Sequence, residues 1–275
     1  MKILITGGNG NIAKMIKKNL SNKYEIVNLS RYDLNVLSYN DVKNYLDKNH
    51  FDILVHTAIL GGRRNKEENG DITHNNLIMF ENLLQFSDKF KMIINFDSAA
   101  IYDRNTDILN RKEEELVTIP IDYYGFSKYI IYKRTLQHDN VFNFRVFNIF
   151  HPNEEADRFT KQCFLAKKNN TIVTIFEDKW FDFVYENDFI KIIDYYFSNV
   201  NNKNNLEKTL NICYNEKYKL SDIAGLIVDK SNINILKENS LHNYSGNGEK
   251  LYKLGLELDG LNKSIKLYND EFIKI

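Results

Sequence analysis

The sequence is poor in cysteine and proline, shows no excess of either charge and holds no long apolar run, and each shortage closes off a class of protein. Two cysteines in 275 residues, Cys163 and Cys213, are too few for a disulfide framework and lack the spacing of metal ligands. A reducing, cytoplasmic setting fits them best. With 37 basic and 37 acidic side chains the formal net charge is zero, so there is no electrostatic footprint for nucleic acid or an anionic membrane. No apolar stretch approaches the roughly 18 residues that span a bilayer. The N-terminus, Met1-Lys2-Ile3-Leu4-Ile5-Thr6, enters a strand and a Gly-rich turn directly, without the apolar region and small-residue cleavage site of a signal peptide. Low-complexity linkers and internal repeats are missing too. What is left is a chain long enough for one large domain or two unequal lobes.

The first informative stretch follows the strand Lys2 to Thr6. Gly7-Gly8-Asn9-Gly10-Asn11-Ile12-Ala13 is a Gly-rich turn that opens a helical pattern through Leu20. In that position backbone N–H groups and a helix N-terminus face a pyrophosphate, with Gly7, Gly10 and Ala13 as the small residues that permit close approach. A dinucleotide site is therefore expected. A second strand, Tyr24 to Leu29, leads to Ser30-Arg31-Tyr32-Asp33-Leu34-Asn35. Its end carries Arg31 and no acid, which favours the 2′-phosphate of NADP over the free 2′-hydroxyl of NAD. Ser38 and Asp41 form a capping box for a helix through Lys48. Phe51 to His56 is a third apolar strand, and His56 reads as a strand-end residue beside the cofactor, since no Cys, His or Glu partner has ligand spacing.

After the Gly61-Gly62 loop, a helix is expected over Asn76 to Phe86 and a strand over Met92 to Phe96. That strand runs into Asp97-Ser98-Ala99-Ala100-Ile101-Tyr102, which puts Ser98 at a carboxyl strand end, where ligands of open α/β sheets bind. A polar loop over 103–115 comes before Tyr123-Tyr124-Gly125-Phe126-Ser127-Lys128. Tyr124 and Lys128, four apart on a helix, share a face, so the ammonium can favour the phenolate. Two other pairs have the same spacing. Tyr39 with Lys43 falls too early in the chain, and Tyr129 with Lys133 is rotated by about 140° on the same helix. A further strand, Val141 to Phe147, completes an alternation that implies an α/β fold with a doubly wound parallel sheet. Past Pro152 the pattern loosens: a helix near 158–168, strands at 172–176 and 181–185, a helix through Phe197, a strand at 209–213 and a helix opening at 218–222. Residues 1–150 with 186–214 are expected to form a nucleotide-binding domain, and 151–185 with 215–275 a smaller substrate lobe.

Taken together, Thr6-Gly7-Gly8-Asn9-Gly10-Asn11-Ile12-Ala13, Asp33-Leu34-Asn35, His56-Thr57-Ala58, Asn76, Ser98 four residues before Tyr102, and Tyr124 with Lys128 resemble the extended short-chain dehydrogenase/reductase family. Within it the match is to nucleotide-sugar epimerases, dehydratases and reductases, nearest to GDP-fucose synthase and the compact nucleotide-sugar 4-ketoreductases. It runs from residue 1 to roughly 255. The resemblance implies a Rossmann-type sheet, with NADP or NAD held by Gly7, Asn9, Gly10, Asn11, Ile12, Arg31, Asp33, Leu34, His56, Thr57, Ala58, Asn76, Tyr124 and Lys128. It implies Tyr124 as acid or base, Lys128 lowering its pKa, and Ser98 bonding the reacting oxygen. A nucleotide sugar would meet Ser98, Ala99 and Asn148, and the family also allows a homodimer. Three positions depart from the pattern: Asp103 and His151 stand where relatives carry Gly, and Phe181 replaces an Arg that clamps the diphosphate. Arg158, Lys179 or Arg63 would then take over the charge. Ala99 and Ala100 replace the acids of the dehydratases. The expected activity is NADPH-dependent reduction of a nucleotide-linked 4-keto or 4-keto-6-deoxy sugar, with an NAD-dependent 4-epimerase and a non-catalytic NAD(P)-sensing protein as alternatives.

Overall fold

The computed structural model of the chain describes residues 1–62, 67–240 and 242–273. The chain opens with β1 (Lys2–Thr6), α1 (Asn11–Leu20), β2 (Glu25–Leu29), α2 (Tyr39–Lys48), β3 (Ile53–His56), α3 (Gly70–Leu84) and β4 (Met92–Ser98). After a 3-10 turn, Ala99–Tyr102, come β5 (Ile108–Arg111), α4 (Tyr123–Thr135), β6 (Val141–Val146), β7 (Ile149–Phe150), α5 (Phe159–Asn169), β8 (Val173–Ile175) and β9 (Val184–Tyr185). The remainder is α6 (Glu186–Ser198), β10 (Thr209–Ile212), α7 (Leu220–Gly225), β11 (Ile233–Ile235), β12 (Tyr244–Gly246), α8 (Glu249–Lys253) and α9 (Gly260–Phe272). Among the described residues no helix is long and apolar enough to cross a membrane.

Six strands form the central sheet in the order β2-β1-β3-β4-β6-β10. β1 pairs in parallel with both β2 and β3, and β3 with β4. The chain thus leaves β1 for β2 on one side and returns to β3 on the other, and strand order reverses at the carboxyl end of β1. The expected doubly wound α/β sheet is present, with its switch point where the Gly-rich turn lies. Alternate strand residues bury opposite faces. Leu4, Leu54, Ile93 and Val141 pack with Val42 and Leu46 of α2 and with Phe80, Leu83 and Leu84 of α3, while Phe142 and Phe144 meet the Tyr196 ring of α6 edge-on at 5.7 and 4.7 Å.

The chain divides into two compact units. One comprises Met1–Asp103, Leu116–Arg145 and Ile192–Leu210; the other comprises Arg104–Glu115, Val146–Lys191 and Asn211–Ile275. The segment read as a polar loop, 103–115, contains β5, which pairs with β12 and belongs with the second unit. Three local expectations are adjusted. α3 starts at Gly70, six residues before the apolar spacing begins, because the Asn69 side chain caps the Asp71 N–H at 3.1 Å. The Ser38–Asp41 box forms by half: Ser38 Oγ accepts from the Asp41 N–H, but the Ser38 N–H goes to the Asn35 carbonyl at 3.0 Å. Of the apolar run 181–185 only Val184–Tyr185 is strand; Phe181 instead packs its ring on Phe183 and Tyr244 at 4.9 and 5.1 Å.

Candidate active site

The turn after β1 is built by what its glycines lack. Gly7 sits at φ +71°, and a Cβ on it would lie 2.7 Å from the main-chain nitrogen of Ala58, so glycine lets the ends of β1 and β3 close up. Gly8 donates its N–H to the Leu29 carbonyl at 2.8 Å, and a Cβ there would come within 2.8 Å of the Leu29 carbonyl carbon. The Gly10 N–H closes on the Gly7 carbonyl at 2.8 Å. Gly10 then caps α1 without any side-chain bond, and the first helical turn carries no acid. Asn9 and Asn11 are exposed, Ile12 is half-buried, and Ala13 is fully buried against the sheet. An uncapped N-terminus facing a tight glycine turn leaves its leading N–H groups for an external anion, and the cradle fits a dinucleotide pyrophosphate.

At the end of β2 Arg31 is exposed and makes no ion pair among the described residues. Asp33, also exposed, folds its carboxylate back so that one oxygen accepts from the Ser30 hydroxyl at 2.7 Å and the Ser30 N–H at 2.9 Å. Those two bonds hold it below the usual carboxylate range. The strand itself ends without an acid, and the turn brings Asp33, one of the expected cofactor residues, back to Ser30 at that end.

Three of the expected cofactor residues turn their side chains inward. Leu34 is part of the core under the sheet. His56 is buried, its Nδ1 is 2.9 Å from the Thr6 hydroxyl, and burial, with Lys128 nearby, pushes it down to about 3, so it is neutral. Asn76 is fully buried: its carbonyl accepts from the Leu60 N–H at 2.9 Å and its amide donates to the Leu60 carbonyl at 3.0 Å and to Ser127 Oγ at 3.1 Å. Any contact of Leu34 or His56 with a cofactor would use main-chain atoms, and Asn76 is committed to holding the loop after β3. Thr57, half-buried, donates its hydroxyl to the Thr6 carbonyl at 2.7 Å.

Tyr124 lies in the first turn of α4, with the Lys128 ammonium 5.7 Å from its ring centroid. Lys128 is buried and donates to the Phe96 carbonyl. Burial lowers its pKa to about 8, against the pull of Asp97, so it stays mostly charged at neutral pH. Gly125 brings the same turn onto the residues around Ser98: a Cβ there would sit 2.8 Å from the Ala100 carbonyl oxygen. Ser98 therefore lies on a segment that α4 touches on both sides, at Phe96 and at Ala100. Its Oγ accepts from the Ala100 N–H at 3.2 Å, which leaves its proton as the group to give. Ala99 and Ala100 are buried and carry no exchangeable side-chain proton.

Two features were missed in the sequence. The Gly62 main chain, at φ +81°, packs against Tyr124, so that a Cβ would fall 2.9 Å from the ring's Cζ. Glu68 bridges the two, accepting from the Gly62 N–H at 2.7 Å and the Tyr124 N–H at 3.2 Å. The Gly61-Gly62 pair signalled a turn and nothing about what it covers.

Three of the remaining candidates, Asn148, Arg158 and Lys179, belong to the second unit. Asn148 is half-buried and its carbonyl accepts from the Val184 N–H at 2.9 Å. Arg158 is exposed and pairs with Glu155 at 3.6 Å. Lys179 is half-buried, and its carbonyl accepts from the Leu220 N–H at 3.0 Å. Arg63 lies outside the described residues.

A parallel sheet with a glycine cradle at its switch point, and a Tyr–Lys pair beside a strand-end serine, define an NAD(P)-dependent enzyme of the extended short-chain dehydrogenase type. The family described as "NAD dependent epimerase/dehydratase family" matches residues 3–213, and the chain belongs to it. No curated protein matches in sequence. Among solved structures, the fold is similar to a dTDP-4-dehydrorhamnose reductase from Clostridium acetobutylicum, at 17% identity, TM-score 0.82 and 100% of each chain covered. It is also similar to a GDP-mannoheptose C4 reductase from Campylobacter jejuni with NADP bound, at 18% identity and TM-score 0.78, covering 100% of this chain and 98% of the other. A GDP-L-fucose synthetase from Naegleria fowleri bound to NADP matches at 18% identity and TM-score 0.76, with 99% and 93% covered.

Proposed function

We propose that the protein reduces a nucleotide-linked 4-keto or 4-keto-6-deoxy sugar with NADPH. The observation that supports this reading is the buried Lys128 ammonium 5.7 Å from the Tyr124 ring centroid, on a helix that meets the strand end of Ser98 at Phe96 and Ala100. When bound, the cofactor supplies the hydride. Tyr124 gives its phenolic proton to the carbonyl oxygen as charge develops there, and Ser98 donates a hydrogen bond to the same oxygen. Lys128 stabilises the phenolate left behind; bringing a phenol from about 10 to about 7 takes roughly 4 kcal/mol, within reach of a buried cation. Ala99 and Ala100 hold no group that could protonate a leaving hydroxyl or take a proton from carbon, which favours net reduction over dehydration. Asn148, Arg158 and Lys179 are the side chains assigned to the nucleotide diphosphate.

NADP is favoured by the guanidinium of Arg31, which makes no ion pair among the described residues and suits a phosphate through two parallel hydrogen bonds, and by the NADP in the Campylobacter and Naegleria structures. One observation favours a second reading, an NAD-dependent 4-epimerase: the Asp33 carboxylate drawn back to Ser30 is an acceptor for a ribose hydroxyl. A non-catalytic sensor has no use for a complete Ser98–Tyr124–Lys128 set.

Incubation with a 4-keto-6-deoxy NDP-sugar and NADPH in deuterated water tests the proposal. The expected product carries no deuterium at C3 or C5 beyond the exchange measured without enzyme. Enzyme-dependent deuterium at either carbon, or water lost from an NDP-hexose, would refute it.

A further inference from the structure

Directly behind Ser98 lies a buried ion pair that proton and hydride transfer do not themselves require. Arg145, on β6, is fully buried, and its Nε donates to one oxygen of the Asp97 carboxylate at 2.8 Å. The other oxygen of Asp97 accepts the Ser98 main-chain N–H, also at 2.8 Å. From the far side of the same guanidinium, Nη1 donates to the Tyr102 hydroxyl at 2.7 Å. Ser98 opens the 3-10 turn and Tyr102 ends it, so one planar cation grips both ends of the turn that presents the Ser98 hydroxyl. The guanidinium also lies over two rings, 4.7 Å from the Tyr102 centroid and 4.9 Å from that of Tyr132.

Stability is a weak reason for this arrangement. A buried ion pair is often no better for the fold than apolar residues of the same volume, because both charges give up water. What a guanidinium offers and an apolar plug does not is a rigid fork of directed donors. Ser98 has a matching need for direction. Its Oγ accepts the Ala100 N–H within the turn, so the angle at which its proton leaves depends on the shape of that turn.

We propose that Arg145, with Asp97 and Tyr102, is a positioning group for Ser98 that fixes the turn from which the hydroxyl reaches the reacting oxygen, and that it affects turnover through Ser98. This rests on the reading of Ser98 as a donor to the substrate carbonyl. Misplacing such a donor by about 1 Å lowers turnover by up to roughly a hundredfold.

Tyr102→Phe is the variant of choice, since it cuts one end of the grip and leaves the Arg145–Asp97 pair intact. Two measurements decide the matter. In the first, turnover of a 4-keto-6-deoxy NDP-sugar with NADPH is compared in four proteins: wild type, Tyr102→Phe, Ser98→Ala and the double variant. Tyr102→Phe is expected to lower kcat roughly tenfold with the KM for NADPH unchanged, and to add less than about twofold once Ser98 is Ala. The same factor in both backgrounds, or no loss in the wild-type background, would overturn the proposal. The second measurement needs no substrate, and so still decides the grip if the reductase reading fails. Amide hydrogen exchange in the peptide spanning 98–103 is expected to quicken about tenfold in Tyr102→Phe, while peptides of β1 and β3 keep wild-type rates. Unchanged exchange in 98–103 would show that the turn does not depend on Arg145's hold.

Discussion

The two units handle charge in opposite ways. In the first, the ionised side chains near Ser98 are buried and bonded in fixed directions, Lys128 to the Phe96 carbonyl and Arg145 to Asp97 and Tyr102. In the second, several cations lie at the surface or are spent on the unit's own acids. Arg158 is exposed beside Glu155, Lys217 pairs with the buried Asp182 at 2.9 Å, and Lys191 with the buried Asp188 at 2.9 Å. A site made of main-chain turns and buried pairs has one geometry and tolerates little change. A set of surface cations can be redistributed with little cost to the fold, which is why the chemistry proposed for the first unit is better defined by its residues than the substrate proposed for the second.

The sharpest test of the first unit is Tyr124→Phe. It is expected to keep the fold and the cofactor but to lose about a hundredfold or more in kcat, the usual scale of a positioned proton donor. Tyr129→Phe, on the same helix with Lys133 5.4 Å from its ring centroid, is the control and is expected to be nearly silent. Next in size is Gly7→Ala. A side chain at φ +71° against the Ala58 main chain is expected to cost about 2 kcal/mol or more by thermal melting and to weaken NADPH binding with it. Arg31→Ala should weaken NADPH about tenfold in a direct titration and leave NADH unchanged, the scale of one lost charge-assisted contact. Tighter binding of NADH by the wild type would move the protein towards the epimerase reading.

The smallest effect comes from comparing one buried titratable group in each unit. His56 in the first is held down to about 3 by burial. The unfolded chain takes up its proton near 6.5, so this contribution is present above that value and is lost as pH falls from 6.5 towards 3. Glu154 in the second unit is pushed up to about 7 by burial, against the pull of Thr160, and one of its oxygens has no bond among the described residues. Here the folded state keeps the proton longer, so the contribution is full below about 4.5 and is lost as pH rises through 7. Glu154→Gln is therefore expected to raise stability by about 1 kcal/mol at pH 8 and to change little at pH 5. A melting-temperature difference that does not grow between those two pH values would remove Glu154 as the source of the alkaline slope.

Much of the first unit was legible because its signals are local. A glycine turn, a strand-end serine and a Tyr–Lys pair four apart each constrain neighbouring backbone, and the sheet follows from alternating periodicity. What escaped notice depends on distance or on atoms. Asp97 and Arg145 are 48 residues apart, and neither residue type announces the other. Glu68 reaches Tyr124 across 56 residues. Leu34, His56 and Asn76 sit on the expected segments, yet residue type does not tell whether a side chain or a peptide group faces outward. In the second unit the short strands carry too few residues for a period to show, and Phe181 reads as strand although its ring belongs to an aromatic cluster.

The pairing of β5 with β12 bears on how the chain is made. Asn110 donates its N–H to the Ser245 hydroxyl across 135 residues, so β5 leaves the ribosome well before its partner exists. At about 5–20 residues per second the wait is roughly 7–27 s. Through that interval a lone strand with an apolar residue such as Ile108 is a target for any other exposed edge. The segment around it is crowded with Asp107, Arg111, Lys112, Glu113, Glu114 and Glu115. Charges of this density flanking a strand guard in general against premature pairing, and they make 103–115 read as a polar loop although Glu113 ends buried, accepting the Asn211 N–H in the finished fold.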